Sequence, residues 1–198
     1  MKHTIACLVI FLTTLPLYAQ TPATRPYDKL PQVPAFTLTS TDIKEGAKLA
    51  TPQMGSYNNT GGLDVSPQLA WNGFPKSTKS FVLTVFDPDA PMPGGFWHWE
   101  IINIPMSTVQ LPTDAGRAKS KELPLGAVTL PNGAKALQFF GAAPPAGSGK
   151  HRYIFAIHAL DVARLDFPQA PTPEQLCEAL GKHTIARATI TAWAIKEK

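Results

Sequence analysis

Apolar and polar residues alternate or cluster along the chain in patterns that are typical of β-strands. Residues 36–39 (FTLT) alternate apolar and polar side chains, as expected for a strand with one buried face. Residues 80–86 (SFVLTVF) form a compact run of β-branched and aromatic side chains, which indicates a buried strand. Three later runs have a similar composition and predict three further strands: residues 97–104, 152–160 and 188–195.

A single helix is predicted close to the C-terminus. Thr172 can cap its N-terminus, Gln175 completes the capping-box spacing, and Gly181 suits the C-terminal cap. Three apolar residues between these signals form one helix face: Leu176, Cys177 and Leu180. Because strands dominate and helices are few, the pattern predicts a mostly β fold of two packed sheets.

The beginning of the chain has the layout of a secretory signal peptide. Lys2 is followed by an apolar run and then by Ala19, which suits the residue before a cleavage site. Pro16 interrupts the apolar run, so cleavage is favoured over a retained membrane anchor. We therefore divide the chain into a signal peptide at residues 1–19, a proline-rich arm at residues 20–34, and one domain at residues 35–198. An exported protein, periplasmic or secreted, is expected.

The charge and the cysteine content narrow the range of functions. The formal net charge is +4, and the lysines and arginines are spread without a basic run, which argues against nucleic-acid binding. Of the two cysteines, Cys7 would leave with the signal peptide, so no internal disulfide is expected. We interpret the remaining Cys177 as a small core residue, with a redox role as the alternative.

Residues that can carry chemistry cluster in two segments. The segment DPDAPMPGGFWHWEI contains Asp87, Asp89 and His98, and the segment GSGKHRYIF contains His151 and Tyr153. Side chains alternate across a strand, so His151 and Tyr153 share one face and could bind an anionic oxygen there. The same residue types are also typical of a catalytic acid–base set, a metal site, a turn or an ordinary polar sheet face, and the sequence leaves these alternatives open.

Strand alternation also predicts how the side chains around His98 are oriented. His98 and Glu100 should point to one face of the strand, and Trp97 and Trp99 should point to the opposite face. His98 would then lie on a polar face, with both tryptophans packed on the other side.

Signatures of several enzyme and metal-site classes are missing from the sequence. There is no G-x-S-x-G motif, and Ser148 is a weak nucleophile candidate. There is no H-E-x-x-H motif and no cysteine cluster, so neither a metal nor a cofactor is predicted. The glycine-rich loop at residues 141–149 lacks the spacing of a phosphate-binding loop. Hydrolysis or phosphate processing by His98 and His151 with an aspartate is the enzymatic alternative.

Four motifs of this chain occur together in one known family. They are Asp64-Val65-Ser66-Pro67 with Leu69-Ala70-Trp71, DPDAP at residues 87–91, His98 with Asn103 and Pro105, and Pro144-Pro145 followed by GSGKHRYIF. In order and spacing the chain resembles the phosphatidylethanolamine-binding proteins, also called Raf kinase inhibitor-like proteins, and most of all their bacterial branch. The resemblance covers residues 36–195, with Asp64 standing where the family usually has asparagine.

The resemblance implies a fold of two antiparallel β-sheets with a small anion-binding cavity at one end. Carried over residue by residue, the family's cavity positions are Asp87, Asp89, Pro91, His98, Pro145, His151 and Tyr153. Ligands of the family include phosphate and phosphoethanolamine head groups. In such a cavity the histidines and the tyrosine would donate to anionic oxygens, and the aspartates would orient and charge the histidines or accept from an ammonium group.

The leading hypothesis is therefore an exported, non-catalytic binding protein for phosphate or phospholipid head groups, which could also modulate a partner protein. An enzyme is the second hypothesis, and a protein-interaction module with a vestigial cavity is the third. The sequence names no protein partner, and the resemblance to bacterial relatives implies a homodimer. A fold alone does not settle function.

Overall fold

The computed structural model describes residues 25–57 and 60–198, and within them it contains two antiparallel β-sheets and one α-helix. The predicted signal peptide at residues 1–19 and the first part of the arm, residues 20–24, lie outside the described residues. The elements are β1 Thr37–Thr39, β2 Leu69–Asn72, β3 Ser80–Asp87, β4 Phe96–Pro105, β5 Gln110–Leu111, β6 Val128–Thr129, β7 His151–Leu160, α1 Pro173–His183 and β8 Thr184–Ala194. Two short 3₁₀ turns lie at Pro26–Lys29 and Thr51–Gln53.

The larger sheet has five strands in the order β6-β4-β3-β7-β8, and the smaller has three in the order β1-β2-β5. All neighbouring strands in both sheets are antiparallel. The mostly β fold of two packed sheets with a helix near the C-terminus is therefore confirmed. The five predicted strands are all present with small differences at their ends, whereas the short strands β2, β5 and β6 were not predicted.

Strand β3 lies at the centre of the larger sheet and is buried along its whole length. On one side it packs against the smaller sheet, in a core that includes Trp71, Leu83 and Trp99. On the other side it packs against α1, in a second core that includes Phe86 and Leu180. Burial on both faces explains why its sequence is a continuous apolar run rather than an alternating one.

A β-bulge in β4 changes the orientation predicted for its side chains. Val85 of β3 pairs with Trp99, but the next residue, Phe86, pairs with Trp97, so His98 is the extra residue. Trp97 consequently joins the core beneath the helix, whereas Trp99 joins the core between the sheets. The expectation that both tryptophans share one face is wrong, because strict alternation fails wherever a strand contains an extra residue.

Helix α1 begins as predicted and continues past the predicted C-terminal cap. The Thr172 side chain accepts from the Gln175 backbone N–H, and the Gln175 side chain accepts in return from the Thr172 N–H, which completes the capping box. Gly181 does not end the helix, which continues to His183. The next residue, Thr184, is already extended and begins β8, so no separate capping residue is needed.

The described part of the arm packs onto the helix side of the larger sheet. The Tyr27 ring stacks on Phe86 with 5.0 Å between ring centroids, and Leu30 is buried in the same core. The backbone N–H of Arg187 in β8 donates to the Pro34 carbonyl. Among the described residues, no helix combines the length and the apolar character that crossing a membrane requires.

Candidate functional site

A cavity of about 570 Å³ opens at one end of the larger sheet. Because β3 is antiparallel to both of its neighbours, its last residue lies beside the first residues of β4 and β7. Six of the seven residues predicted for the site line this cavity: Asp87, Pro91, His98, Pro145, His151 and Tyr153. The remaining lining residues were not among the predicted site residues: Tyr57, Ala90, Met92, Phe96, Ala134, Phe140, Ala143 and Pro144.

Asp89, the seventh predicted residue, binds Arg152 instead of lining the cavity. Its two carboxylate oxygens each accept from the guanidinium group at 2.7 Å, and Oδ2 also accepts from the Arg152 backbone N–H at 2.9 Å. These bonds lower the pKa of Asp89 below its ordinary value. Asp89 therefore fixes the loop after β3 to the start of β7.

Asp87 and His151 form a buried pair at the polar end of the cavity. The His151 Nδ1 lies 2.8 Å from Asp87 Oδ2, and the other ring nitrogen, Nε2, lies 2.9 Å from the Ser148 hydroxyl. Burial raises the pKa of Asp87, although the bond from His151 opposes the rise. Both ring nitrogens of His151 are thus bonded within the protein, and neither is left over for a ligand.

Ser148 can place its single hydroxyl proton in one of two bonds. The Ser148 oxygen lies 2.8 Å from the Pro145 carbonyl oxygen and 2.9 Å from Nε2 of His151. If the proton goes to Pro145, Nε2 must carry a proton itself and donate it to the Ser148 oxygen. If it goes to Nε2, the ring is neutral. Either arrangement holds the loop that carries Pro145 against His151.

His98 is bound on one side only. Its Nδ1 lies 2.6 Å from the Phe140 carbonyl oxygen, and because a carbonyl only accepts, Nδ1 carries the proton and donates it. Burial lowers the pKa of His98 to about 4, an effect that His151 reinforces and that the bond to the Phe140 carbonyl opposes. His98 is therefore neutral near pH 7 and accepts at Nε2. The expectation of a charged, donating imidazole is wrong for His98.

Tyr153 is the clearest hydrogen-bond donor in the cavity. Burial and the nearby carboxylates of Asp87 and Asp89 raise the pKa of its hydroxyl, so the group keeps its proton. The backbone N–H of Ala143 donates to the hydroxyl oxygen, which leaves the proton for another acceptor. The Tyr153 ring packs edge-on against His98 with 5.0 Å between ring centroids, and both residues line the cavity.

Asp64 holds one wall of the cavity together. Its Oδ2 accepts from the backbone N–H of Ser56 at 2.9 Å, and its Oδ1 accepts from the backbone N–H of Gly141 at 2.8 Å. These bonds join the segments that carry Tyr57 and Phe140, whose rings lie 6.3 Å apart. The carboxylate, rather than the usual amide of the family, supplies one oxygen to each segment.

The mouth of the cavity is apolar, in contrast to its polar end. Tyr57 and Met92 are 63% and 48% exposed, and the rings of Phe96 and Phe140 lie 5.5 Å apart behind them. No lysine or arginine is among the described residues that line the cavity. In the described part of the chain, no three histidine, cysteine, aspartate or glutamate side chains are grouped so that they could hold a metal ion.

The fold and the site together define a two-sheet β protein with a ligand-sized cavity at the end of its larger sheet. The model of the phosphatidylethanolamine-binding protein family matches residues 39–194, and the chain belongs to that family. One relative is UPF0098 protein YbcL of Escherichia coli, which is 41% identical over 160 residues that cover 81% of this chain and 87% of that protein. A second is UPF0098 protein YbhB of the same organism, which is 39% identical over 164 residues that cover 78% of this chain and 97% of that protein.

Solved structures of family members have the same fold. The crystal structure of E. coli YbcL, described as a member of the mammalian PEBP family, matches with a TM-score of 0.77 at 39% identity and covers 82% of this chain and 99% of that one. The Chlamydia trachomatis homologue CT736 matches with a TM-score of 0.68 at 31% identity and the same coverage. A Mycobacterium tuberculosis relative named as a lipoprotein, LppC, is 31% identical over 129 residues, which are 65% of this chain and 59% of that protein.

Proposed function

We propose that this protein is an exported, non-catalytic binding protein whose cavity holds a small phosphate-bearing ligand. The observation that carries the proposal is the meeting of His98, Tyr153 and the Asp87–His151 pair at the buried end of one cavity. Its volume of about 570 Å³ lies within the range of small-molecule pockets, roughly 300–1,000 Å³. Residues distant in sequence converge there, which an ordinary polar sheet face would not require.

The contrast between the two ends of the cavity suits an ester of phosphate. The polar end offers the Tyr153 hydroxyl as a donor and the His98 Nε2 as an acceptor. The mouth offers Tyr57, Met92 and Phe140 to an apolar group attached to the phosphate. A phosphate head with an organic substituent would therefore find a partner at each end, whether it is a soluble ester or a lipid head group.

Export is supported by the chain itself and by one relative. The sequence begins with a basic residue, an apolar run and Ala19, as secretory signal peptides do. The M. tuberculosis relative LppC is named as a lipoprotein, a class of exported protein. Export would separate this chain from cytoplasmic partners and leaves ligands and proteins outside the cytoplasm as its partners.

Binding can be tested by titrating the purified protein with phenyl phosphate in isothermal calorimetry and in NMR. We expect one saturable site, and we expect Tyr153→Phe to weaken binding by about tenfold, because it removes the donor that faces the ligand. Tyr27→Phe is the matched control, since it removes a hydroxyl from the helix side of the sheet. The proposal is wrong if phenyl phosphate does not bind, or if both variants bind as the wild type does.

A serine hydrolase is the second candidate, because Ser148, His151 and Asp87 form a chain of two hydrogen bonds. Such a chain is typical of a nucleophile, a base and an orienting carboxylate. Two observations weigh against it: the Ser148 hydroxyl also binds the Pro145 carbonyl, and Ser148 is not among the residues that line the cavity. Turnover of phenyl phosphate or phenyl acetate that Ser148→Ala abolishes would favour the hydrolase instead.

A further inference from the structure

The hydrogen-bonding pattern at the end of the cavity restricts the protonation state of a ligand. His98 Nδ1 donates to the Phe140 carbonyl at 2.6 Å, so Nε2 of the neutral ring is unprotonated and can only accept a hydrogen bond. His98 is only 4% exposed and lines the cavity, so the small exposed part of its ring faces the cavity. A ligand atom that meets Nε2 must therefore bring a proton of its own.

The charged groups around His98 do not supply that proton. On β7, both ring nitrogens of His151 are hydrogen-bonded within the protein. The Tyr153 hydroxyl stays protonated and can donate one hydrogen bond. On β3, Asp87 is a second acceptor, and Asp64 on the opposite wall is occupied by backbone donors. Because burial holds the pKa of His98 at about 4, the ring stays neutral above pH 5.

We propose that the cavity selects a phosphomonoester in its monoprotonated form, whose P–OH donates to His98 Nε2 while another phosphate oxygen accepts from the Tyr153 hydroxyl. This inference rests on the proposed function, which requires only that a phosphate group binds. A monoprotonated monoester offers one donor, the P–OH, and several acceptor oxygens. The P–OH matches the acceptor His98 Nε2, and an acceptor oxygen matches the donor Tyr153 hydroxyl. A phosphodiester or a sulfate ester offers acceptors alone and would place a lone pair against that of Nε2.

The proposal fixes how binding depends on pH. The second proton of a phosphomonoester dissociates near pH 6, so about 1% is monoprotonated at pH 8 and about three quarters at pH 5.5. If only this form binds, the apparent affinity rises by about 75-fold between those pH values. His98 does not change its charge over that range, so the ligand's own titration sets the trend.

Three phenyl esters separate the donor from the charge. Phenyl phosphate at pH 5.5, phenyl sulfate and methyl phenyl phosphate all carry one negative charge on the same ring, but only the first has a P–OH. We expect phenyl phosphate to bind at least roughly tenfold more tightly than the other two at pH 5.5, as the loss of one hydrogen bond to a charged group implies. We also expect its affinity to fall at pH 8.

The results distinguish this inference from the proposed function. If none of the three esters binds at either pH, the proposed function is wrong and the inference falls with it. If phenyl sulfate binds as tightly as phenyl phosphate at pH 5.5, or if phenyl phosphate binds equally at both pH values, the inference is overturned and the phosphate-binding function stands.

The state of the imidazole can be measured directly in the wild-type protein. Nitrogen NMR of labelled histidine should show His98 with a proton on Nδ1 and a bare Nε2 from pH 6 to 8, and a protonated Nε2 there would overturn the proposal. His98→Gln places an amide that can donate near the position of Nε2. We expect this variant to reduce the preference for phenyl phosphate over phenyl sulfate, and an unchanged preference would contradict the proposed contact.

A soluble ester and a lipid such as phosphatidic acid share the same phosphomonoester group, and vesicles distinguish these sources. Co-sedimentation with phosphatidylcholine vesicles that contain phosphatidic acid, displaced by phenyl phosphate, would assign the lipid source. Binding of phenyl phosphate without co-sedimentation would assign a soluble ester. Stronger co-sedimentation with phosphatidylglycerol, an anionic phosphodiester, than with phosphatidic acid would overturn the selectivity.

Discussion

Burial keeps His98, His158 and Glu100 neutral. His98 faces the cavity, while His158 and Glu100 lie inside the larger sheet. Burial and the nearby Arg187 lower the pKa of His158 well below its ordinary value, so its Nδ1 accepts from the Arg187 side chain and its Nε2 donates to Thr84. The sequence shows that these residues are histidines and a glutamate, but their charge depends on neighbours that only the fold supplies.

Glu100 makes the stability of the protein depend on pH. Its carboxyl is buried, and Oε2 has no hydrogen-bond partner among the described residues. Burial raises the pKa of Glu100 well above its ordinary value. The unfolded state releases this proton above about pH 4.5, whereas the folded state keeps it up to the raised pKa. Between these two pH values, the free energy of unfolding therefore falls as the pH rises.

Replacing Glu100 by glutamine should remove that dependence. The amide has nearly the same shape and does not ionise, so we expect Glu100→Gln to stabilise the protein at pH 8 by about 1 kcal/mol, or about 2–4 °C in the melting temperature. The gain should shrink toward pH 5, where the wild-type carboxyl is protonated in the folded state. Thermal unfolding of both proteins across this pH range measures the effect.

Glu178→Gln on the exposed face of α1 is the control for this measurement. Its carboxylate pairs with Lys182 in solvent, so it should not produce the same loss of pH dependence. A Glu100→Gln variant that melts at or below the wild-type temperature at pH 8, with an unchanged pH slope, would contradict a buried neutral carboxyl.

At the scale of elements, Asp64 adds two side-chain hydrogen bonds to the backbone bonds between Gly55, Ala142 and Gln53 that join the loops carrying Tyr57 and Phe140. Asp64 has a φ of +55° and uses both carboxylate oxygens on backbone N–H groups of different segments. Asparagine tolerates this left-handed backbone but has a single acceptor oxygen. The carboxylate therefore contributes a bond that the amide cannot replace.

We expect Asp64→Asn to destabilise the protein by roughly 1–2 kcal/mol, because one backbone N–H loses a charged acceptor. Chemical denaturation at pH 7 measures this change. Asp114→Asn is a matched control, since Asp114 also has a positive φ of 66° and its side chain makes an exposed ion pair with Arg117. Equal effects of the two substitutions would show that Asp64 does not connect the loops through its carboxylate.

The pattern of the sequence predicts the elements better than their detailed geometry. The apolar run of β3 and the capping box of α1 are local signals, and both elements form where the signals predict them. The bulge at His98 has no local signal, because it arises from how β4 pairs with β3. One extra residue then separates Trp97 from Trp99 into different cores.

At the scale of the whole molecule, the fold does not depend on covalent cross-links between described residues. Cys177 is a free, buried cysteine, and burial raises the pKa of its thiol to about 12, which keeps it unreactive. Two sheets and a helix enclose two apolar cores, so packing supplies the stability. Such a chain can fold outside the cytoplasm without a disulfide.

The proposed export can be checked on the protein as its native host makes it. N-terminal sequencing of the mature protein should begin near Gln20, because the apolar run ends at a residue that suits cleavage. A soluble protein recovered from the cytoplasm with Met1 still present would contradict export. Replacing Ala19 with a bulky residue should slow processing and serves as the internal control.

The sequence by itself determined five of the eight described strands, the helix, and the identity of most polar residues in the cavity. Hydrophobic runs and capping residues are local, so their effect can be predicted without knowing the fold. Family motifs added Asp87, His98, His151 and Tyr153 as residues expected to meet, and all four line one cavity.

The tertiary structure alone decided what these residues can do. His98 is hydrogen-bonded to the carbonyl of Phe140, which is 42 residues away in sequence. His151 is hydrogen-bonded to the carboxylate of Asp87, which is 64 residues away. A pairing at that distance fixes which nitrogen carries a proton and whether a side chain donates or accepts. The same pairing directs Asp89 to Arg152, away from the cavity. Charge and hydrogen-bond direction are properties of such contacts, and contacts between distant segments exist only in the folded chain.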